Sequence, residues 1–350
     1  MKSVYYYGPG DLRLEHVDKP QIGGDEVLVR VRACAVCGTD LRINKFGHFK
    51  IPAGAKRVLG HELAGEIAAV GESVEGYSVG DRVAIPPNVG CGSCEMCISG
   101  FNQMCPDYEA FGVSWDGGFQ EYVRIPASAV ARGNVVKLPD RLSFVEAAIC
   151  EPFSCTYNSW RLLRTSPGDT VLIIGAGPIG ACHVMVNRLA GAAKIIVADV
   201  SDTRLKEIAG LGADIVVNSA GSDLAEAVAK ETSGRGCDVV ITACSVPEVQ
   251  AQALGLAAVH GRINFFGGMP SGKENVTLNT NLIHYKELVV LGTTGSTLSD
   301  FHKSIEIAAS GRVNLGALAT GRFSIGQTAD AFAYAASGSG MKAVVVMEGA

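Results

Sequence analysis

The sequence predicts a β plus α/β protein, in which an all-β, barrel-like lobe is followed by a doubly wound parallel sheet. Three observations carry this reading. Short β-rich runs such as EVLVRVRA and GDRVAI, separated by Gly, Pro and polar turns, fill roughly the first 130 residues with little sustained helical periodicity. From Thr170 the texture changes, and apolar strands alternate with amphipathic helices. A glycine-rich segment, IIGAGPIGA, joins the first of these strands to the first helix.

In order, the second region reads as strand TVLII, a helix from Pro178 to about Leu189, strand KIIVAD, helix TRLKEIAGLG, strand DIVVN and helix DLAEAVAKET. It continues with strand CDVVITA, helix EVQAQALGLA and strands GRINFFGG and LVVLGTT. Helices near Asp300 to Ser310 and Gln327 to Ala336 precede a final strand, KAVVVM, which is expected to return to the first lobe. A chain of 350 residues accommodates two such domains with a full core.

Composition removes several function classes. Thirty basic against 35 acidic residues give a net charge of −5 with no basic run, so nucleic acid is excluded as a partner on charge grounds. The N-terminal MKSVYYYGPGDLRLEH lacks an apolar signal region. The longest apolar stretch, Val171 to Val186, is too short for a membrane span and is broken by three glycines, Pro178 and His183. A soluble, cytoplasmic protein is therefore expected. In a reducing compartment 11 cysteines point to metal binding rather than disulfides. The 43 glycines exceed the roughly 25 of average composition. No Gly-X-Y period is present, which assigns the excess to turns and close backbone approaches.

Gly175, Gly177 and Gly180 have the G-x-G-x-x-G spacing between a strand and a helix, with Pro178 and Ile179 opening that helix. Such glycines permit a tight turn, approach of the backbone to a pyrophosphate, and close helix packing. Asp199 closes the next strand 19 positions after Gly180, where a carboxylate accepts the ribose hydroxyls of NAD and repels the 2′-phosphate of NADP. Arg204 can pair with a 2′-phosphate or serve as a cation on the helix surface. Cys91, Cys94, Cys97 and Cys105 form C-x2-C-x2-C-x7-C, a spacing that wraps a tetrahedral structural zinc, although an iron–sulfur cluster uses similar spacings. Cys37 in VCGTD, His61 and Glu62 in GHELAG, and Glu151 in ICEPF are candidates for a second, open metal site. Individually, each also fits an ordinary core or surface role.

These residues are where a resemblance emerges. CGTD at 37 to 40, GHELAGEIAAVGESV from Gly60 to Val74, GDRV at 80 to 83, the four-cysteine lobe, DGGFQEY at 116 to 122, EP at 151 and 152, and GAGPIG together resemble the zinc-dependent medium-chain dehydrogenases, on their polyol and threonine dehydrogenase side. The resemblance implies a GroES-like catalytic domain from residues 1–152 and 297–350, with an inserted Rossmann domain over 153–296 and an active site in the cleft between them. It implies two zinc ions per chain, one catalytic and one structural, with NAD favoured over NADP.

By that resemblance Cys37 and His61 are catalytic zinc ligands, Glu151 stands where ethanol-type enzymes place a third cysteine, and Glu62 can coordinate as well. Zinc with one thiolate, a neutral imidazole and one carboxylate is neutral, whereas two carboxylates leave a net −1 that acidifies a bound alcohol less. One glutamate is therefore expected on the metal and the other behind a water, exchanging during turnover. Asp40 matches the carboxylate that orients the histidine ligand, and Thr39 the hydroxyl that accepts the alcohol proton. Some relatives end the relay in a histidine where this chain has Arg42, which cannot take a proton, so His48 becomes the candidate terminus. Thr293, Thr294 and Gly268 are expected at the nicotinamide end. Gly295 and Ser296 stand where sorbitol dehydrogenases carry an Arg-Tyr pair. The expected reaction is hydride exchange between NAD and a secondary alcohol of a polyol or sugar derivative, with its ketone as product. A threonine-type 3-hydroxy amino acid dehydrogenase and a non-catalytic NAD-binding relative are the alternatives. A homodimer or homotetramer is expected, with LVVLGTT as an exposed sheet edge.

Overall fold

The computed structural model describes residues 1–348. It divides into two compact units, one running from Met1 to Ser154 and resuming at Ser296, the other Cys155–Gly295.

The first unit is built on the strand Val27–Ala35, whose alternating and flanking residues are almost all buried. It pairs with Glu62–Val70 and Tyr122–Ile125 on its way through a seven-stranded sheet, and with Ala343–Val346 from the far end of the chain, all antiparallel. The last strand thus returns to the first lobe as the apolar run KAVVVM led one to expect. Ala35 faces both Glu62 and Val344 across these ladders. Val29, Val31, Ile67, Val83, Phe119 and Val345 fill the interior between the sheet's strands.

One departure from the sequence reading lies here. The first lobe is not purely β, because a nine-residue helix spans Gly38–Phe46. It has no apolar stripe to announce it. A cap starts it: Cys37 is extended at φ −99°, and Asp40, three positions on, accepts the Cys37 N–H at 2.9 Å. A second helix missed at sequence level, Phe144–Leu163, contains Pro152 and carries Glu151.

The second unit is a six-stranded parallel sheet in the order Ile215–Asn218, Lys194–Asp199, Thr170–Ile174, Cys237–Thr242, Ala257–Phe265, Val289–Gly292. The first strand in sequence sits third, so the winding reverses beside it, the arrangement in which open α/β sheets bind dinucleotides at the strands' carboxyl ends. Strands Lys194–Asp199, Thr170–Ile174 and Cys237–Thr242 are buried on both faces, which is why they read as continuous apolar runs rather than alternating ones. Helix Pro178–Leu189 and strands Thr170–Ile174 and Lys194–Asp199 fall where the sequence placed them. Strand Val289–Gly292 is an edge and stops before Thr293. Among the described residues no helix is long and apolar enough to cross a membrane.

Candidate active site and metal centres

Three groups of residues in the fold can do chemistry. The first is the turn after strand Thr170–Ile174. Gly175 has φ +117°, and a Cβ there would stand 2.8 Å from the Ala243 carbonyl oxygen. A Cβ on Gly180 would lie 1.9 Å from the Gly175 oxygen, so the helix can pack this closely only without a side chain. Gly177 differs, since a Cβ there would meet only Arg204 Nη1, at 3.9 Å. The fold therefore needs the outer two glycines, while the middle one leaves open the space a pyrophosphate would occupy at the helix N-terminus. Pro178 takes the first helical position and Ile179 follows it, half-buried.

Asp199 ends its strand with both carboxylate oxygens engaged. Oδ2 accepts the Ala176 N–H at 2.7 Å and Oδ1 the Ser201 N–H at 2.9 Å. It thus braces the glycine turn. Arg204, in the helix that Ser201 caps, places its guanidinium near Gly177, so an acid and a base stand at the same mouth. Thr293 Oγ1 accepts from Asn264 Nδ2 at 2.9 Å, and Thr294 and Gly268 are exposed. Beside Gly268 the close approach belongs to Gly267, whose Cβ would be 2.2 Å from the Cys244 oxygen.

The second group is Cys91, Cys94, Cys97 and Cys105, each able to offer a sulfur within 4.8 Å of the others. The Cys91 N–H points to Cys105 Sγ and the Cys94 N–H to Cys91 Sγ, both at 3.3 Å. The Ser93 backbone and hydroxyl, with the Cys94 N–H, bring the Cys91 thiol down to about 6. Arg132 donates to the Cys91 carbonyl, tying this lobe to the body of the unit. All 11 cysteines are free thiols, as a metal-binding rather than disulfide chain requires. Four sulfurs and no open position suit a structural zinc.

The third group is assembled from distant segments. Cys37 caps helix Gly38–Phe46, His61 ends the turn before strand Glu62–Val70, and Glu62 opens that strand; their ligand atoms lie within 4.8 Å of one another. Fully buried Asp40 connects the pieces. Its Oδ2 holds the Cys37 N–H, its Oδ1 accepts the Gly60 N–H at 3.1 Å, and the same Oδ1 stands 3.7 Å from His61 Nδ1. Gly60 is required for this turn, because it has φ +92° and a Cβ would sit 2.6 Å from Cys34 Sγ.

Electrostatically the pocket seeks a cation. Burial opposes protonation of His61, but Cys37, Asp40 and Glu151 outweigh it and hold the imidazole well above its usual range. A divalent ion answers the same field while leaving the imidazole neutral to ligate. Glu151 is buried on its helix and is felt electrostatically by His61 and Lys342. Its carbonyl accepts the Ser154 hydroxyl at 2.6 Å, and Ser154 and buried Ser296 share a hydroxyl contact at 2.7 Å. So the position after Gly295 is a buried serine turned onto the Glu151 helix. Thr39 is half-buried in the first turn of its helix and Arg42 is exposed. His48 is held locally: Nδ1 accepts the Lys50 N–H at 3.2 Å, and the ring stacks on Phe49.

One residue of the pocket was missed by sequence reasoning. Lys342, 4% exposed, places Nζ 2.5 Å from Glu62 Oε2 and donates to the Val36 carbonyl at 2.8 Å. Burial opposes its charge, yet Glu62, Cys37 and Glu151 push it up to about 12. Both Glu62 oxygens are buried and neither has a hydrogen bond of good geometry among the described residues, Oε2 being held by the Lys342 ion pair. The only signal in the sequence is a lysine leading an otherwise apolar strand.

A glycine-turn dinucleotide site on a parallel sheet, with a thiolate–imidazole–carboxylate group on a β unit, defines a metal-dependent dehydrogenase. The comparisons agree. Residues 23–140 match the alcohol dehydrogenase GroES-like domain and residues 178–310 the zinc-binding dehydrogenase domain. The chain is 35% identical over 335 residues to a sorbitol dehydrogenase of Bacillus subtilis, covering 95% of this chain and 92% of that one. It is 34% identical over 329 residues to an L-threonine 3-dehydrogenase of Pyrococcus abyssi, covering 92% and 90%. A solved structure described as a zinc-binding dehydrogenase from Sinorhizobium meliloti 1021 bound to NADP superposes with a TM-score of 0.90 at 31% identity, covering 99% of this chain and 98% of that one. The protein belongs to the zinc-dependent medium-chain alcohol and polyol dehydrogenase family, with a GroES-like domain and a Rossmann domain, and it is an enzyme acting on alcohols.

Proposed function

We propose that the protein is an NAD-preferring, two-zinc dehydrogenase that oxidises a secondary alcohol of a polyol or sugar derivative to its ketone. The observation that carries this reading is the carboxylate-rich pocket. Glu62 stands with Cys37 and His61, and buried Glu151, at the position where ethanol-type enzymes carry a cysteine, acts on the same field. Cys37, His61 and one of the two glutamates would hold the catalytic zinc, and Cys91, Cys94, Cys97 and Cys105 the structural one.

When bound, the catalytic ion supplies Lewis acidity to the alcohol oxygen. The chain supplies the rest. Asp40 fixes the start of the Cys37 helix and the turn before His61, and stands against the imidazole. Thr39 takes the alcohol proton and passes it outward, with His48 as the outer acceptor. As the proton leaves, hydride departs from the carbinol carbon for the dinucleotide, so an alcohol and NAD become a ketone, NADH and a proton. Asp199 favours NAD by occupying the ribose end with negative charge, against Arg204 at the same mouth. Gly268, Thr293 and Thr294 line the nicotinamide end.

The threonine branch is the second reading, favoured by the identity to the Pyrococcus enzyme. NAD and NADP reduction across polyols, polyol phosphates, diols and L-threonine, with zinc counted per chain, tests both. Turnover on L-threonine alone overturns the polyol reading, and one zinc per chain overturns the two-metal reading. We further propose a homo-oligomer that uses the edge strand Val289–Gly292, where Val289 is 52% exposed.

A further inference from the structure

Lys342 has no role in the reaction described above, and its position is expensive. An ammonium that is almost wholly buried costs several kcal/mol of desolvation unless its partners repay it. Here the partners are specific. The register of strand Ala343–Val346 on Val27–Ala35 sets Lys342 beside Val36, whose carbonyl takes one donor, and Nζ reaches Glu62 Oε2 at 2.5 Å. Glu62 itself is 0% exposed, with Oε1 left without a donor among the described residues. Neither oxygen has a well-aligned hydrogen bond among the described residues, so the lysine holds Oε2 by charge and proximity while a carboxylate oxygen stays within reach of the Cys37 and His61 ligand atoms.

The charges alter the balance drawn from the sequence. With both glutamates counted, a divalent ion, the Cys37 thiolate, Glu62 and Glu151 make a net −1, and the lysine offsets that charge, Asp40 behind His61 standing outside this count. The charge ground for keeping one glutamate away from the metal is thereby weakened. What remains is competition, because Glu62 must divide its charge between Lys342 and the ion.

We propose that Lys342 is a positioning residue of the catalytic metal site, acting as the counter-ion of Glu62 and so limiting how firmly that carboxylate holds the metal. A coordination position is thereby kept exchangeable for the alcohol. The inference rests on the reading that Cys37, His61 and Glu62 bind a metal.

The test uses the full-length protein with zinc in the four-cysteine site and cobalt exchanged into the other, whose visible bands report coordination. In Lys342→Met the Glu62 charge falls wholly on the metal. Cobalt release to a chelator is expected to slow about tenfold, with weaker visible bands from a higher coordination number and a lower kcat at unchanged KM for NAD. A lysine that merely braced or oriented its neighbours would give the opposite sign, since losing such a partner weakens metal binding about 10- to 100-fold. Release that is unchanged or faster therefore overturns the proposal. So does slowing of equal size when Lys342→Met is placed in a Glu62→Gln background, where no carboxylate remains to be freed. If Lys342→Met does not fold by circular dichroism, Lys342→Gln, which can still donate to Val36, carries the same expectations. A wild-type protein that takes up metal only at the four cysteines would instead overturn the underlying metal reading, a result distinct from two loaded sites with unchanged release.

Discussion

The glycine turn offers a sharp separation between fold and ligand. Gly180→Ala brings a Cβ to 1.9 Å from the Gly175 oxygen, where about 3.0 Å is the closest real approach, so the helix must withdraw by about 1.1 Å. Overpacking of that kind costs about 1–3 kcal/mol, and the helix N-terminus leaves its place. Gly177→Ala meets only Arg204 at 3.9 Å, and its φ of −77° with ψ of −172° is open to alanine. It should leave the apo protein unchanged or more stable by about 0.4–1 kcal/mol through the unfolded chain. Its methyl group nevertheless fills the space left for the pyrophosphate. Thermal unfolding with and without NAD distinguishes the two. Gly180→Ala should lower the apo Tm by about 1–4 °C, whereas Gly177→Ala should keep the apo Tm and lose most of the rise that NAD produces. A Gly177→Ala protein that keeps the full NAD-induced rise would refute the assignment of this turn to the cofactor.

Other outcomes follow from individual contacts. His183 is wholly buried edge-on against Phe266, with neither ring nitrogen hydrogen-bonded among the described residues, and burial pushes its pKa down to about 3. The unfolded chain takes up this proton near 6.5 and the folded chain does not, so stability is unaffected above that value and falls below it. The loss is about 2 kcal/mol between pH 7 and pH 5, and His183→Leu should flatten denaturant midpoints over that range. Asp199→Ser should raise the KM for NAD about tenfold and improve NADP, with the NADP gain abolished by Arg204→Ala in the same background. Cys97→Ser should halve the zinc content and expose the lobe from Cys91 to Cys105 to protease while the other site still loads. Asp40→Asn replaces one of two N–H acceptors by a donor, and should cost about 1–3 kcal/mol in denaturant stability and at least about tenfold in affinity for the catalytic metal; unchanged affinity would remove Asp40 from its positioning role.

What was legible in the sequence was local. Each parallel strand is an apolar run in its own right, and the four cysteines lie within 15 residues of each other, so their chemistry is visible without a fold. Helix Gly38–Phe46 was hidden because only Asp40 and Ile43 are buried in it, and it is started by a cap rather than held by an apolar face. Glu151 and Glu62 were both named, but how each stands to Cys37 and His61 depends on the seating of helices against strands that are distant in sequence. Lys342 was illegible for the same reason in stronger form. Its meaning comes from an antiparallel register between residues some 300 positions apart, and no spacing within either strand encodes that.

The return of the last strand has a consequence for function that neither half of the chain carries alone. Cys37, His61 and Glu62 sit within 26 consecutive positions, and Asp40 links the two ends of that segment, so a metal pocket of net negative charge could in principle be assembled early. Its counter-charge arrives only when Ala343–Val346 pairs with Val27–Ala35, after the entire second unit has been made. Until then Glu62 is a carboxylate with no partner in an apolar wall, which disfavours closing the pocket around it. Docking of the C-terminal strand is therefore worth more than its four ladder residues, because it converts an uncompensated buried acid into a paired one. The integrity of the catalytic pocket is thus tied to the last strand rather than to the motif that contains its ligands.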